Sequence, residues 1–291
     1  MRSLHILLSN DDGILAPGLL AQYDALVRAG HRVTVVAPLG ERSASSHAIS
    51  VWRQFPVHRM ERDGRFFGIA LDSTPADCVK FAMSHLLRDD PPELVIGGIN
   101  PGPNIGDAVF YSGTVAVAAE GALYGLPAIA VSLGGRWRDG KYFEPAADFV
   151  VKLIERLNTL PIGPRRFLNV NVPNEPAEKI RGVIVTRQGV SAFADVFEKI
   201  DTRDDHEIWA NQGNSMRPSP DDPGLDDRVL EEACISITPM RLDITDHAAL
   251  VSLHQALRGI SPALRVGTTH DGEHLEHIEE MSPFPVPGNS Q

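Results

Sequence analysis

Residues 4–18, LHILLSNDDGILAPG, constrain this chain more than any other stretch. The apolar run at residues 4–8 reads as a strand buried on both faces, because a parallel strand covered by helices has no wet side. It breaks off at Ser9-Asn10-Asp11-Asp12-Gly13. Adjacent carboxylates repel, so a fold that gathers both at a strand end supplies a cation or a proton between them. Gly13 permits a sharp turn. Pro17 sits where the first helical residue is expected, and its missing N–H costs nothing there. Strand, acidic turn and helix in that order are the layout of an α/β protein whose site lies at the carboxyl end of its sheet. The reading is a divalent-metal site that handles a phosphate group. Asp-Asp-Gly standing alone would equally describe a surface turn.

The rest of the first half repeats this layout. Leu19, Leu20, Tyr23, Leu26 and Val27 mark one face of a helix that Gly30 ends. Residues 32–37, RVTVVA, predict a parallel strand stopped by Pro38, which completes a right-handed β-α-β unit. Residues 51–57 and 65–71 predict a hairpin around a polar turn at 59–64. Asp72-Ser73-Thr74-Pro75 predicts a helix start, with Ala76, Val79, Met83, Leu86 and Leu87 on the buried face. Further strands are predicted at 93–97, 127–133 and 167–172, and helices at 115–124 and 144–157. The predicted fold class is α/β, a Rossmann-like doubly wound and mostly parallel sheet, with residues 1–189 as the catalytic core.

Three loops fall at carboxyl ends of these strands. Residues 39–50, LGERSASSHAIS, lie beside Asp11 and Asp12, so Ser43 or its neighbours could reach the same site; a loop serine is also an ordinary turn former. Residues 98–107, GINPGPNIGD, combine glycines that permit close backbone approach with asparagines. Asparagine offers a neutral oxygen to a hard cation or an amide donor to phosphate, and a purely structural loop is the alternative. Tyr111-Ser112-Gly113-Thr114 precedes an Ala-rich helix. Its free N–H groups, two hydroxyls and glycine describe either a phosphate cradle or an ordinary N-cap. Glu120, inside that helix, is either a buried partner or faces water.

The net charge of −11 over 291 residues argues against a nucleic-acid polymer as partner. A small phosphorylated substrate stays compatible if a metal supplies local positive charge. Cys78 and Cys234 lack both disulfide-framework and zinc-ligand spacing and suit a reducing compartment. No stretch approaches the ~18 apolar residues of a membrane span, and no signal-like apolar segment opens the chain. A cytoplasmic enzyme with no membrane partner is expected.

The texture changes after residue 189. Residues 190–229 are polar, acidic and punctuated by Pro and Gly, with isolated Phe193, Phe197, Ile208 and Trp209. Such a segment cannot bury itself alone. The expectation is an extended oligomerisation arm exchanged with a second subunit, a mobile arm being the alternative. Residues 230–260 return to the core as a strand at 234–238 and a helix at 246–257, with Ala249, Leu250, Leu253 and Leu257 on its buried face. In the polar tail, 261–291, His270, His274 and His277 have helical spacing, but Glu273 and other acids dilute any metal signal and favour a solvated helix.

Taken together, these segments resemble the SurE family of metal-dependent nucleotide phosphatases. The resemblance rests on ILLSNDDGILAPG (6–18), VVAPLGERS (35–43), TPADCV (74–79), GINPGPNIGD (98–107), YSGTV (111–115), GLPAIAVSL (125–133), NVNVP (169–173) and SITP (236–239). It implies one divalent metal ion per subunit, Mg²⁺ or Mn²⁺, held by Asp11, Asp12, Ser43 and Asn100. It implies that Asn104 and Ser112-Gly113-Thr114 line the phosphate side. The implied activity is hydrolysis of nucleoside 5′- and 3′-monophosphates, and of short polyphosphate in some members. The implied assembly is a cytoplasmic homodimer or homotetramer with exchanged C-terminal segments. Gly97-Gly98, Pro101 and Ser73 depart from the family's usual Ser-Gly, Ala and Gly, and none of them removes a ligand.

Two carboxylates, a hydroxyl and an amide oxygen make a hard, oxygen-only set that suits Mg²⁺ or Mn²⁺. The expected chemistry is in-line attack by metal-activated water, with Asp11 or Asp12 steering the proton. Attack by an aspartate through a phosphoenzyme is the alternative. A signalling receiver domain also carries an acidic pair after its first strand, but it needs a phosphoacceptor Asp where this chain has Ala37-Pro38 and Gly97-Gly98. A non-hydrolytic nucleotide-binding protein is the remaining rival. No G-x-G-x-x-G follows the first strand, which argues against a dinucleotide cofactor.

Overall fold

The computed structural model describes residues 2–135, 141–213, 215–257 and 260. The first half runs β1 (His5–Ser9), α1 (Pro17–Arg28), β2 (Arg32–Pro38), β3 (Val57–Arg62), β4 (Arg65–Leu71), α2 (Pro75–Phe81), β5 (Leu94–Asn100), α3 (Gly113–Leu123), β6 (Ala128–Leu133), α4 (Phe143–Ile154) and β7 (Arg166–Val172). The second half adds β8 (Gly182–Val185), β9 (Ala192–Phe193), β10 (Phe197–Arg203), β11 (His206–Asn211), β12 (Met216–Arg217), α5 (Asp226–Glu231), β13 (Cys234–Arg241) and α6 (Ala249–Ala256).

Nine strands form one sheet in the order β3-β4-β2-β1-β5-β6-β7-β13-β8. From β4 across to β7 every neighbouring pair is parallel. β3 runs antiparallel to β4, and β13 antiparallel to β7. The alternation of side chains along buried strands builds a core on each face. Ile6 and Leu8 of β1 join Leu19 and Leu26 of α1 and Val150 and Ile154 of α4. Leu7 points the other way, to Val79 of α2 and Val115 and Ala118 of α3. This is the doubly wound α/β sheet that the alternating elements predict.

The order decides where a site can form. From β1 the chain steps to β2 on one side, and β5 flanks β1 on the other. The connections after β1 and β5 therefore leave in opposite directions, over opposite faces, and open a crevice at the carboxyl ends of those two strands.

Several elements differ from expectation. Residues 51–56 are irregular, and the hairpin begins only at Val57. Its turn is Asp63-Gly64 alone, both with positive φ (53° and 71°). That is the pair a tight two-residue hairpin prefers, and it outranks the β-branched texture upstream. The helix after Pro75 stops at Phe81 and loosens into a π-turn over Ala82–Leu86. β5 extends through Gly98 and Ile99 to Asn100, so the first three residues of the glycine-rich loop are strand. α6 is shorter than expected, and Leu250 and Leu253 are exposed rather than buried on this chain. The histidines at 270, 274 and 277 lie outside the described residues.

The arm packs in part on its own chain. β9 and β12 pair as a two-stranded ribbon beside a 3₁₀ turn at Gly106–Phe110. β10 and β11 pair as a separate hairpin that leaves Phe197, Ile200 and Trp209 exposed.

Candidate functional site

The acidic turn after β1 is built for rigidity. Asn10 is buried and its Nδ2 donates to the carbonyl of Gly13 at 2.9 Å. Gly13 has φ +107°, a conformation that L side chains rarely adopt. The carbonyl of Asp11 accepts the backbone N–H of Arg42 at 2.6 Å, which ties this turn to the loop after β2. Arg42 in turn pairs with Asp72.

Asp11 is only 4% exposed. Its Oδ1 accepts a hydrogen bond from Thr114 Oγ1 at 2.6 Å. Burial pushes its carboxyl up, while the Thr114 hydroxyl and the backbone N–H groups of Gly113 and Thr114 pull the other way. Gly113 is necessary for this approach. A Cβ there would lie 2.7 Å from Asp11 Cβ and 2.9 Å from Pro75 Cγ. The start of α3 is thus engaged by Asp11 itself. Ser112 Oγ accepts the N–H of Val115 at 3.1 Å as an ordinary N-cap. Of the proposed phosphate cradle, Thr114 and Gly113 hold Asp11, and Ser112 caps the helix while still facing the cleft.

A cleft of about 780 Å³ opens over this point. Asp11, Ser43, Asn100, Asn104 and Ser112 all line it, so residues from four separate segments meet there. Asp12 follows Asp11 in the turn and is half-buried. Ser43 Oγ donates to Glu41 Oε1 at 2.7 Å, which leaves the oxygen lone pairs to a cation. Asn100 Nδ2 donates to the carbonyl of Gly102 at 2.6 Å, so its Oδ1 is the atom left to offer. Among the described residues no three His, Cys, Asp or Glu side chains gather as a metal cluster. Of the four expected ligands, Asp11, Ser43 and Asn100 line the cleft, while Asp12 is adjacent in the turn but is not among the lining residues; a carboxylate, a hydroxyl and an amide oxygen are the donor types that suit a hard cation. A carboxylate as buried as Asp11 holds its charge more readily beside such a cation.

Asn104 is held by the neighbouring strands. Its N–H donates to Asn171 Oδ1 at 2.9 Å, and its carbonyl accepts from Asn169 Nδ2 at 2.7 Å and Asn171 Nδ2 at 3.1 Å. Its own Nδ2 donates to Ser132 Oγ at 2.8 Å. Sequence reasoning missed Asn169, Asn171 and Ser132 as supports. The signal was present: two asparagines at alternate positions of a buried strand share one face and need partners there.

Glu120 is the buried partner of the two alternatives offered by the sequence, but its partners, which hold the loop carrying Ser43, were not foreseen. Buried Glu120 accepts from His47 Nε2 at 2.7 Å and from Lys80 Nζ at 2.9 Å. Burial would push its carboxyl up, but these two bonds outweigh burial and hold it below the usual range. The far wall of the cleft was missed as well. It comes from the arm, including Phe193 of β9 and Arg217 of β12, the one cationic side chain among the described lining residues.

With this geometry in place, comparison with known proteins is direct. The family model described as survival protein SurE matches residues 6–195. The chain belongs to the SurE family. The protein named 5′-nucleotidase SurE of Thermosynechococcus vestitus is 40% identical over 267 residues, covering 89% of this chain and 98% of that relative. The protein of the same name from Desulfatibacillum aliphaticivorans is 42% identical over 253 residues, covering 87% and 98%. The crystal structure of the SurE protein from Aquifex aeolicus superposes with a TM-score of 0.72 at 34% identity, over 87% of this chain and 99% of that one. The SurE model ends at residue 195, whereas the whole-chain relatives extend well into the arm and the C-terminal strand. No helix among the described residues is long and apolar enough to cross a membrane.

Proposed function

We propose that this SurE-family chain is a divalent-metal-dependent 5′-nucleotidase that releases phosphate from nucleoside monophosphates. One observation carries the reading: buried Asp11 shares a cleft at the sheet's switch point with Ser43 and Asn100, an oxygen-only donor set in a chain of net charge −11. An anionic substrate approaches an anionic protein only where charge is locally reversed. The relatives named 5′-nucleotidase SurE, matched over nearly their whole length, support the same activity.

Asp11, Asp12, Ser43 and Asn100 would hold Mg²⁺ or Mn²⁺. Such an ion supplies neutralising charge to the phosphoryl group and acidifies water at neutral pH. Thr114 and the N–H groups at the start of α3 orient Asp11. Asn104 and Ser112 face the phosphate side of the cleft. Asp11 or Asp12 would steer the proton of the attacking water. The same reading extends to nucleoside 3′-monophosphates and short polyphosphate. It takes the protein to work in the cytoplasm as a homodimer or homotetramer, with exposed Phe197, Ile200 and Trp209 of the β10–β11 hairpin set against a second copy.

The test is phosphate release by metal-stripped protein from several nucleoside 5′- and 3′-monophosphates and tripolyphosphate, with Mn²⁺ or Mg²⁺ added back. Activity should return only with metal, and Asp11→Asn should abolish turnover. Full activity of that variant would contradict the site assignment.

A further inference from the structure

The cleft is much larger than a phosphate needs. Its volume of about 780 Å³ lies within the ~300–1,000 Å³ that holds whole small molecules. The phosphate-handling groups occupy one end. What remains is lined by the 3₁₀ turn and the arm, and two aromatic residues, Tyr111 and Phe193, belong to that lining. Tyr111 is 62% exposed and Phe193 is 42% exposed, so neither side chain is taken up by the core.

Both rings sit on fastened backbone. The Tyr111 carbonyl accepts the N–H of Ser46 at 2.9 Å, and the preceding carbonyl of Phe110 accepts Ser46 Oγ at 2.7 Å. At the other end of the same turn, Asp107 donates its N–H to the Ser191 carbonyl at 2.8 Å, and Gln188 Nε2 donates to the Gly106 carbonyl at 2.9 Å. Ser191 leads straight into β9, where Phe193 pairs in register with Met216. The segment carrying Tyr111 and the segment carrying Phe193 are therefore bolted to each other. Segments fastened this way bind a partner without first having to order their backbone.

The amide that lines this end is committed elsewhere, although the cleft also carries Asp107, Asp195 and Arg217. Asn211 lines the same end, but its Oδ1 accepts the N–H groups of Val196 and Gly213, each at 3.0 Å. Its Nδ2 donates to Asp195 Oδ1 at 2.7 Å. The amide best suited to reading a base edge is thus committed to holding the arm in shape. Aromatic side chains beside a committed amide suit the π-face that every base has.

We propose that Tyr111 and Phe193 form a stacking subsite for the nucleobase, which gives preference for nucleotides over other phosphate esters while leaving the identity of the base weakly discriminated. This rests on the nucleotidase reading, and it assigns specificity to the arm and the 3₁₀ turn rather than to the residues proposed to hold the metal. Recognition of the leaving nucleoside is a separate task from handling the phosphate, carried by a different segment.

The experiment compares kcat/KM for AMP with that for ribose 5-phosphate, the same ester without its base. Wild type should favour AMP and accept AMP, GMP, CMP and UMP within about tenfold of one another. Phe193→Ala and Tyr111→Ala should each lower the AMP to ribose 5-phosphate ratio by about 5- to 150-fold, the loss expected for one base–aromatic stack, mainly through KM. Phe193→Trp should retain the ratio. An unchanged ratio in both alanine variants overturns the proposal, as does a wild type that prefers ribose 5-phosphate. Calorimetry with adenosine separates the two readings: if wild type hydrolyses neither ester, the nucleotidase assignment falls, while adenosine binding lost in Phe193→Ala still supports the stacking subsite and its absence from wild type refutes it.

Discussion

Thr114→Val separates two roles that the same residue could play. Thr114 Oγ1 donates to Asp11 Oδ1 at 2.6 Å, and both side chains are buried. Valine keeps the branched shape and the helix preference of threonine and removes only the hydroxyl. A hydrogen bond to a charged group contributes about 1.5–3 kcal/mol. At 1.4 kcal/mol per tenfold, that corresponds to roughly a 10- to 150-fold loss. Groups standing behind a metal ligand typically change metal affinity by about 10–100-fold, which agrees. Titration of Mn²⁺ into metal-stripped Thr114→Val by calorimetry should therefore give a Kd about 10–100-fold weaker than wild type. Raising Mn²⁺ should recover much of kcat for AMP. Thr114→Ser, which keeps the donor, should restore the affinity. Direct contact between Thr114 and phosphate would give the opposite pattern, with Mn²⁺ affinity intact and KM for AMP raised. A folded Thr114→Val protein with wild-type Mn²⁺ affinity would refute the positioning role.

Gly113→Ala tests the close approach beneath Asp11. The new Cβ would sit 2.7 Å from Asp11 Cβ, where ordinary contact begins at 3.4 Å, so Asp11 must shift by about 0.7 Å. A displacement of ~1 Å in a catalytic group costs about 100-fold, so kcat/KM should fall by about 10–100-fold. Alanine's better helix propensity offsets part of the crowding, and Tm should move by only a few degrees. Asp77 gives a pH-dependent test. Burial would raise its carboxyl, but bonds from Ser73 Oγ, the Ser50 N–H and Thr74 outweigh it and hold it below the ordinary value. A folded-state pKa below the unfolded one stabilises the protein above about pH 4 and is lost as pH falls through the folded value. Denaturant unfolding at pH 7 should show Asp77→Asn destabilised by about 1 kcal/mol through its cap, and the gap to wild type should narrow as the pH is taken progressively below about 4.

The chain alone was sufficient for the framework. Buried apolar runs, helix caps and the strand-helix alternation specify the parallel sheet, since burial patterns and caps are local properties. They also place Asp11, Ser43, Asn100 and Ser112 at strand carboxyl ends, which is why these residues meet in one cleft. Short-range competition misled the reading where a turn or a register outranked composition, as at Asp63-Gly64 and along Gly98–Asn100.

What each candidate touches was settled only in three dimensions. Thr114 reads as a phosphate group in sequence, yet its hydroxyl meets a carboxylate 103 positions earlier. Asn104 is clasped by Asn169 and Asn171 from a strand more than sixty residues later. Glu120 anchors His47 and Lys80, and the arm supplies Phe193 to the cleft. None of these pairings has a sequence period, because a hydrogen bond between distant segments depends on how sheet order and register bring them together. Local chemistry determines which residue types stand at the strand ends; long-range packing determines which of them face the substrate and which hold the others in place.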